Sequence, residues 1–282
     1  MTQTTTAPAA APPADVRLPS PLRIGMSRSL HELRLFFRER EAVVFTFSFP
    51  IIMLVLFGSI FNEAFEGTGI AFSQVYAAGL IGAGVMSASF QNLGVAIAVE
   101  RDDGTLKRLV GTPMPRVSYF IGKIGSVLIL AVLEVAILLA VSVALFGLRL
   151  PSDVSLWGTF CWVFLLGVTA SALLGIAVSS IPRSGKSAAA VITLPFVVLQ
   201  FVSGVFIPAS QLPPWLSDIA AIFPLKWMCQ GFRSVFLGDA WVAQEAVGSY
   251  ELGRVALVLL AWVVGGLVLC LMTFRWKSRR DG

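Results

Sequence analysis

Few residues of this chain have the type and spacing that catalysis or metal binding requires. The tetrapeptide at 184–187, Ser-Gly-Lys-Ser, matches the end of a phosphate-binding loop. The leading glycine of that loop would be residue 180, which is Ser180, and no strand is expected before it. His31 is the only histidine, and no second metal ligand is in sight for it, so a two-histidine metal site cannot form. The chain also contains no HExxH motif and no GxSxG motif in a strand-turn-helix context. We therefore expect no catalytic residue, no metal site and no cofactor site in this chain.

Glu134 is the one formal charge near the middle of a long apolar run, VLILAVLEVAILL. An acidic residue at the centre of a membrane helix costs about 2.5–3.5 kcal/mol on insertion scales, so its side chain should face the interior of a bundle. Two roles stay open: a partner for substrate or proton, or a protonated or hydrogen-bonded packing residue. Lys123 and Arg254 lie near the ends of apolar runs and are expected to extend towards the membrane surface.

The composition predicts that these residues are positioned by membrane helices. The chain is 56% hydrophobic and 13% charged, with a mean hydropathy of +0.83. A spanning helix needs about 20 mostly apolar residues, and barrel strands need only about 10. Six runs are long enough for helices: roughly 42–62, 73–98, 118–146, 156–180, 188–207 and 252–274. The expected fold is an all-α polytopic membrane protein.

The distribution of positive charge predicts the orientation of the six spans. All but four of the 21 Lys and Arg residues fall before the first span, in the second connection and its flank, in the fourth connection, or after the last span. Positive residues near span ends are retained in the cytoplasm, so both termini are expected there. The net charge of +5 then follows from membrane orientation, without nucleic acid as a partner.

Before the first span, the sequence predicts a disordered cytoplasmic tail over 1–19 and an amphipathic interfacial helix over 20–41. Ser20 can cap this helix, and Pro21 suits its first position. The helix is either a lipid-surface anchor or a lever that also touches a cytoplasmic partner. Its apolar residues recur at helical spacing: Leu22, Met26, Leu30, Leu33 and Phe37.

Small residues recur every four positions in two of the spans, which predicts close helix packing. The stripe in the second span continues to Gln91, with Asn92 beside it, and their amides could instead face a polar pathway. The two stripes are Gly79, Ala83 and Ser87, then Gly167, Ser171, Gly175 and Ser179.

The segment 208–251 on the outer side is too apolar for an ordinary loop. It contains two apolar pieces of about ten residues, separated by Pro224, and neither is long enough to cross the membrane. We expect re-entrant or interfacial helices, with Trp215, Trp227 and Trp241 at headgroup level, that could cover the exit of a pathway.

The polar interruption at 100–116, ERDDGTLKRLVGTPMPR, resembles a motif of the ABC-2 type exporters, E-R-x-x-G-T-L-x-x-L. The segment SGVFIPASQLPPWL at 203–216, followed by FPLKW and GFR, resembles the signature at and after the fifth span of that family. Lys226 departs from the commoner Thr of the family at its position. The resemblance is strongest to drug-resistance permeases of the daunorubicin-resistance type, and it covers nearly everything beyond residue 20. It places the six-helix domain at 42–282.

The resemblance implies a permease subunit without its own ATPase site, which transports a hydrophobic or amphipathic substrate and pairs with a second permease copy or sister permease. A cytoplasmic ABC ATPase that binds ATP and Mg²⁺ would dock on a coupling helix in the second connection, 99–117. The charges of that helix complement its dipole, while Leu106, Leu109 and Val110 offer an apolar ridge, and Pro113 and Pro115 would end it. The implied location is the bacterial inner membrane.

Three groups of candidate residues follow from this resemblance and from the residue types. The ATPase-coupling residues are Glu100, Arg101, Asp103, Gly104, Thr105, Leu106, Lys107 and Leu109. The pathway candidates, on the second, third and fifth spans and just beyond, are Gln91, Asn92, Glu134, Phe201 and Phe206. The extracytoplasmic gate residues are Pro208, Leu212, Pro213, Pro214, Trp215, Pro224 and Arg233. The alternatives are a polysaccharide or glycolipid exporter and a proton-coupled secondary transporter that uses Glu134.

Overall fold

The computed structural model describes residues 19–61, 64–65, 68–207 and 211–276. In these residues the chain is helical, and the one β-bridge, between Ala64 and Ala71, extends into no strand. A π-helical segment, Ser87–Asn92, and a 3-10 helix, Asp239–Gln244, supplement the α-helices. The α-helices are α1 Pro21–Arg38, α2 Arg40–Ile60, α3 Phe72–Met86, α4 Leu93–Asp102, α5 Thr105–Val110, α6 Arg116–Phe146, α7 Val154–Val178, α8 Gly185–Val202, α9 Pro214–Ile222, α10 Pro224–Phe236 and α11 Leu252–Thr273.

Within the described residues, six helical spans are long and apolar enough to cross a membrane, which confirms the predicted fold class. They are α2, the continuous helix from α3 through α4, α6, α7, α8 and α11. Since successive spans run in opposite directions, α1, α5 and residues 274–276 after α11 lie at one end of the bundle, which we call the α5 end. The α9–α10 segment lies at the other, the α10 end.

The fifth span ends five residues earlier than the sequence predicted. Helix α8 stops at Val202, because Gly204 adopts the left-handed conformation with φ +80°, which glycine tolerates and other residues rarely adopt. Val205, Phe206 and Ile207 therefore leave the helix. The apolar run continues beyond the helix because Val205 is buried in the bundle and Phe206 and Ile207 line a cavity beside it.

Helix α1 packs along the start of α6 through small residues. The Ser29 hydroxyl donates a hydrogen bond to the Gly122 carbonyl at 3.0 Å, and a Cβ atom on Gly25 would lie 2.6 Å from Cβ of Ile121. Of the predicted apolar stripe only Leu33 is buried. The rest of the stripe is exposed and available to lipid: Leu22, Met26, Leu30 and Phe37.

The second and fourth spans approach closely at the π-helical segment. A Cβ atom on Gly175 would lie 2.7 Å from the carbonyl oxygen of Phe90, so only glycine fits at this crossing. A Cβ atom on Gly94 would likewise meet the Gly175 carbonyl at 3.1 Å. The small-residue stripes thus let the backbones of these two spans touch.

Helix α10 enters the bundle and is buried between α3, α7 and α11. The Cys229 side chain packs directly against Gly82 of α3, where an added Cβ atom would lie 2.9 Å from the sulfur. Met228 packs in the same way against Gly167 of α7. Of the three tryptophans expected at headgroup level, Trp215 is exposed but Trp227 and Trp241 are buried. The reason is that α10 and the 3-10 helix after it pack inward, against protein.

Candidate functional site

Helix α5 forms a short, separately capped turn between the second and third spans. Gly104, with φ +79°, ends the preceding helix, and the Asp103 carboxylate accepts a hydrogen bond from the Thr105 amide at 2.8 Å. The arrangement satisfies a free amide at the start of α5. Gly111 follows α5, and Pro115 directly precedes the first residue of α6, Arg116. The polar interruption is therefore a rigid elbow.

Glu100 ties the base of this elbow to α1 and α6. Its carboxylate accepts hydrogen bonds from the Tyr119 hydroxyl, at 2.8 Å, and from the Lys123 ammonium. The same ammonium pairs with Glu32 of α1 at 2.8 Å, and Glu32 also pairs with Arg28. Lys123 is buried, so the prediction that it extends towards the surface was wrong, because two carboxylates neutralise it inside the protein.

Arg101 ties the elbow to the fourth and sixth spans. Its guanidinium donates to the carbonyl of Ser179, to the Ser179 hydroxyl at 3.1 Å and to the Arg275 carbonyl at 2.8 Å. The same group lies 5.5 Å from the centre of the Phe274 ring. Since these acceptors lie at the end of α7 and after α11, one side chain links three spans.

Asp102 completes the set by contacting the fifth span. Its carboxylate accepts a hydrogen bond from the Gly185 amide, the first residue of α8, at 2.9 Å. A carboxylate at a helix N-terminus is stabilised by the helix dipole. Glu100, Arg101 and Asp102 are consecutive residues, and together they contact α6, the end of α7, α8 and the residue Arg275 after α11, while Lys123 links Glu100 onward to α1. We call them the elbow anchors.

The prediction that α5 offers Leu106, Leu109 and Val110 as an apolar ridge was wrong in part. Leu106 is fully buried, with 0% exposure, and belongs to the main hydrophobic core, against which Leu109 also packs. Burial of Leu106 is what fixes the elbow to the bundle. The surface that α5 presents outward contains Asp103, Lys107, Arg108 and Val110.

A cavity of about 640 Å³ lies between the first, second, third and fifth spans. That volume is in the range of small-molecule sites. All five residues predicted to line a pathway contribute to the wall of this cavity. The lining residues from α3, the π-helical segment and α6 are Leu80, Ala83, Gly84, Ser87, Gln91, Asn92 and Glu134; those from α8 and beyond are Thr193, Phe196, Val197, Gln200, Phe201, Phe206, Ile207 and Gln211.

The first span supplies a side of this cavity that sequence reasoning did not assign. Its side chains recur at four-residue spacing, which places them on one helix face. The recurrence of phenylalanine at multiples of four residues in the sequence could have predicted this face. The lining residues from α2 are Phe45, Thr46, Phe49, Pro50, Met53 and Phe57; Phe61, directly after α2, and Phe72, the first residue of α3, also line the cavity.

Comparison with known proteins connects this architecture to a family. The sequence profile described as ABC-2 type transporter matches residues 29–237, which is most of the chain. The chain belongs to the ABC-2 type transporter family. It is thus a multi-pass membrane permease of an ABC transporter, and ABC-2 permeases in general work with an ABC ATPase partner.

Several relatives carry transport names. This ABC-2 permease is 27% identical over 235 residues to the transport permease ycf38 of Porphyra purpurea, covering 78% of each chain. It is 25% identical over 146 residues to YbhR of Escherichia coli strain K12, named as a multidrug ABC transporter permease, covering 52% of this chain and 39% of YbhR. It is 22% identical over 194 residues to the inner membrane transport permease YadH of the same strain, covering 67% of this chain and 74% of YadH.

The gate candidates of the permease take several different places. Pro208 lies outside the described residues. Pro213 and Pro214 start α9 and, like Trp215, are exposed, Leu212 just before them is half-buried, and Pro224 starts α10 and is buried.

Arg233 is fully buried, and its guanidinium pairs with the Glu245 carboxylate and donates to the Gly204 carbonyl at 3.3 Å. Burial opposes the charge of Arg233, but Glu245 holds its pKa above the usual range. This pair anchors α10 behind the turn at Gly204 whose following residues, Phe206 and Ile207, line the cavity.

Proposed function

We propose that the chain is the permease subunit of an ATP-driven exporter, in which each permease binds a cytoplasmic ABC ATPase at α5. The observation that carries the proposal is the set of elbow anchors Glu100, Arg101 and Asp102. Because these residues bond to α6, the end of α7, α8 and Arg275, and because Lys123 links Glu100 to α1, a displacement of α5 acts on most of the bundle at once. A surface loop that only set topology would not need such contacts.

The α5 end faces the cytoplasm in this proposal. Positive residues concentrate at that end, and short positively charged connections stay on the cytoplasmic side. The α5 surface is then exposed where ATP is available, and α10 lies towards the outside. In the bacterial inner membrane, this orientation gives export when the cavity opens at the α10 end.

A second permease copy, or a sister permease, encloses the pathway. In the single chain the cavity is open at its side, since Phe45 is 70% exposed and Phe49, Val197 and Phe201 are also exposed. These side chains come from α2 and α8, two of the three least buried spans, whereas most of the second span is buried. Contact between the α2 and α8 faces of two copies would close the cavity away from lipid.

The cargo that suits this cavity is hydrophobic or amphipathic. Eight of the 23 lining side chains are phenylalanine, and the polar ones are mainly amides and hydroxyls. Aromatic rings bind apolar bodies through dispersion and burial, while a few polar groups orient the ligand. A drug, an antibiotic or a lipid-like metabolite of up to a few hundred cubic ångströms would fit.

The outward face of α5 is where we expect the ATPase to dock, and Val110 is the residue that tests it. Val110 is 43% exposed, so Val110→Asp leaves the core intact while placing a charge in the contact. Burying an unpaired charge in an interface is strongly unfavourable, and we expect about a tenfold or greater loss of ATPase affinity. The measurement is co-purification and titration of the ABC ATPase that is captured with the tagged full-length chain.

Val154→Asp is the matched control for this substitution. Val154 is an exposed valine at the start of α7, at the opposite end of the bundle. We expect unchanged ATPase affinity in this variant. Equal affinity of the Val110→Asp and wild-type chains would contradict docking on α5. Leu106→Asp is unsuitable for the test, because it would place a charge in the core.

A further inference from the structure

Glu134 is the one ionisable residue in the wall of the cavity, and no protein group satisfies it. It is 2% exposed, and neither carboxylate oxygen has a hydrogen-bond partner among the described residues. No ion pair in the described part of the chain includes it either. A buried carboxylate without a partner costs several kcal/mol when it is charged, so a cation from outside the chain would stabilise its charged form.

The backbone of α3 is shaped to receive this carboxyl group. A Cβ atom on Gly84 would lie 2.9 Å from Oε1 of Glu134 and 3.1 Å from its Cδ. Only glycine leaves this space, and Gly84 and Glu134 line the same cavity. The first residue of the π-helical segment, Ser87, follows one turn later, and Gln91 and Asn92 extend the lining along the same span. Such π-helical interruptions occur frequently at functional sites.

The charged groups in the cavity wall determine whether the cavity favours a cationic or an anionic ligand. The lining contains one acidic side chain and no Lys, Arg or His. An anionic ligand would have no cation to pair with, and it would meet the carboxylate of Glu134. A positively charged ligand would pair with that carboxylate and would also be attracted by the faces of the phenylalanine rings.

The rest of the wall decides between a metal ion and an organic cation. A hard metal ion prefers about six oxygen ligands, and Glu134 is the only carboxylate in the lining. An organic ammonium needs one charged acceptor and an apolar surface for its body. The eight phenylalanines supply that surface, and the amides of Gln91 and Asn92 supply further hydrogen-bonding groups.

We propose that the cavity binds amphipathic amines, and that the Glu134 carboxylate pairs with the ammonium group of the ligand while the phenylalanines contact its apolar body. This inference rests on the proposed function, because it names the class of cargo for the same cavity. It makes Glu134 a binding residue. It also gives Gly84 a role, since the space above this glycine sets the position of the carboxylate.

The test compares two probes that differ in one charge. Dansylcadaverine carries a primary amine on an apolar body, and its N-acetyl derivative is neutral. Each is titrated by dansyl fluorescence against the full-length chain in phosphatidylcholine nanodiscs, with empty nanodiscs subtracted. We expect the amine to bind about tenfold or more tightly than the acetylated probe, in keeping with a charge-assisted pair.

Two variants locate the effect at Glu134. Glu134→Gln keeps the shape of the side chain and removes its charge, so the preference for the amine should fall to about twofold or less. Gly84→Ala should weaken amine binding through displacement of the carboxylate, with little effect on the acetylated probe. The melting temperature of each variant in the same nanodiscs reports folding, and Gly84→Ala keeps the inference testable if Glu134→Gln does not fold. Equal binding of both probes to the wild-type chain, or an unchanged preference in Glu134→Gln, would overturn the inference.

Reconstitution with the ATPase separates this inference from the proposed function. ATP-driven export of the acetylated probe at the same rate as the amine would overturn the amine class while leaving the exporter in place. An amine preference in binding, with no ATP-driven export of either probe, would support the role of Glu134 and contradict the exporter.

Discussion

Replacing Glu245 with Gln is expected to lower the free energy of unfolding by about 3 kcal/mol or more. Glu245 and Arg233 are both buried, and their ion pair is the only one between two fully buried side chains in the described residues. Removing one charge leaves the other uncompensated in a low dielectric, which typically costs 3–5 kcal/mol. The effect is large because Gln keeps the volume of Glu245 but cannot neutralise the guanidinium.

The free energy of unfolding is measured for the full-length chain in mixed micelles. The effect of Glu245→Gln is compared with that of a substitution in an ion pair that is more exposed. Arg254 pairs with Glu251 at 3.0 Å at the same end of the bundle, and it is largely exposed. Arg254→Gln should cost about 1 kcal/mol or less. If Glu245→Gln were no more destabilising than Arg254→Gln, the buried pair would not be what holds α10 in the bundle.

The second large effect is expected at Arg101, whose replacement by Lys should uncouple ATP hydrolysis from transport. Arg101 reaches Ser179 and the Arg275 carbonyl at the same time, which an ammonium on a flexible stem cannot do. The ATPase should still bind, because the exposed face of α5 is unchanged. We expect transport per ATP hydrolysed to fall about tenfold or more, since displacement of α5 no longer moves the fourth and sixth spans together.

Arg108→Lys is the control, because Arg108 is exposed on α5 and, among the residues that the structure describes, its side chain hydrogen-bonds only to Thr105 of the same helix. Transport per ATP should be unchanged in that variant. The two variants are compared in proteoliposomes that contain the permease and its ATPase at equal ratios. Full coupling in Arg101→Lys would contradict a transmitting role of the elbow anchors.

Much of the fold could be predicted from the sequence, because length and polarity alone decide which segments can cross a bilayer. The six runs match the six spans, and the polar interruption around Glu100 became the elbow. Ser20 also caps α1 as its residue type predicted. These features depend on local sequence, so one chain suffices to find them.

Which face of each helix packs against protein could not be predicted in the same way. A membrane helix is apolar on all sides, so periodicity does not distinguish the face that meets protein from the face that meets lipid. For this reason the burial of Leu106 and the cavity wall from α2 were missed. Lys123 was misplaced for a related reason, because its two carboxylate partners, Glu32 and Glu100, lie far from it in sequence.

The most direct test of the account is transport of dansylcadaverine by the purified chain in proteoliposomes, with and without the ABC ATPase that co-purifies with it. The account predicts transport only when the ATPase and ATP are both present, and loss of that transport when the ATPase is bound to a non-hydrolysable ATP analogue. Transport by the chain alone that stops when a proton gradient is collapsed would contradict the account and would identify a proton-coupled transporter instead.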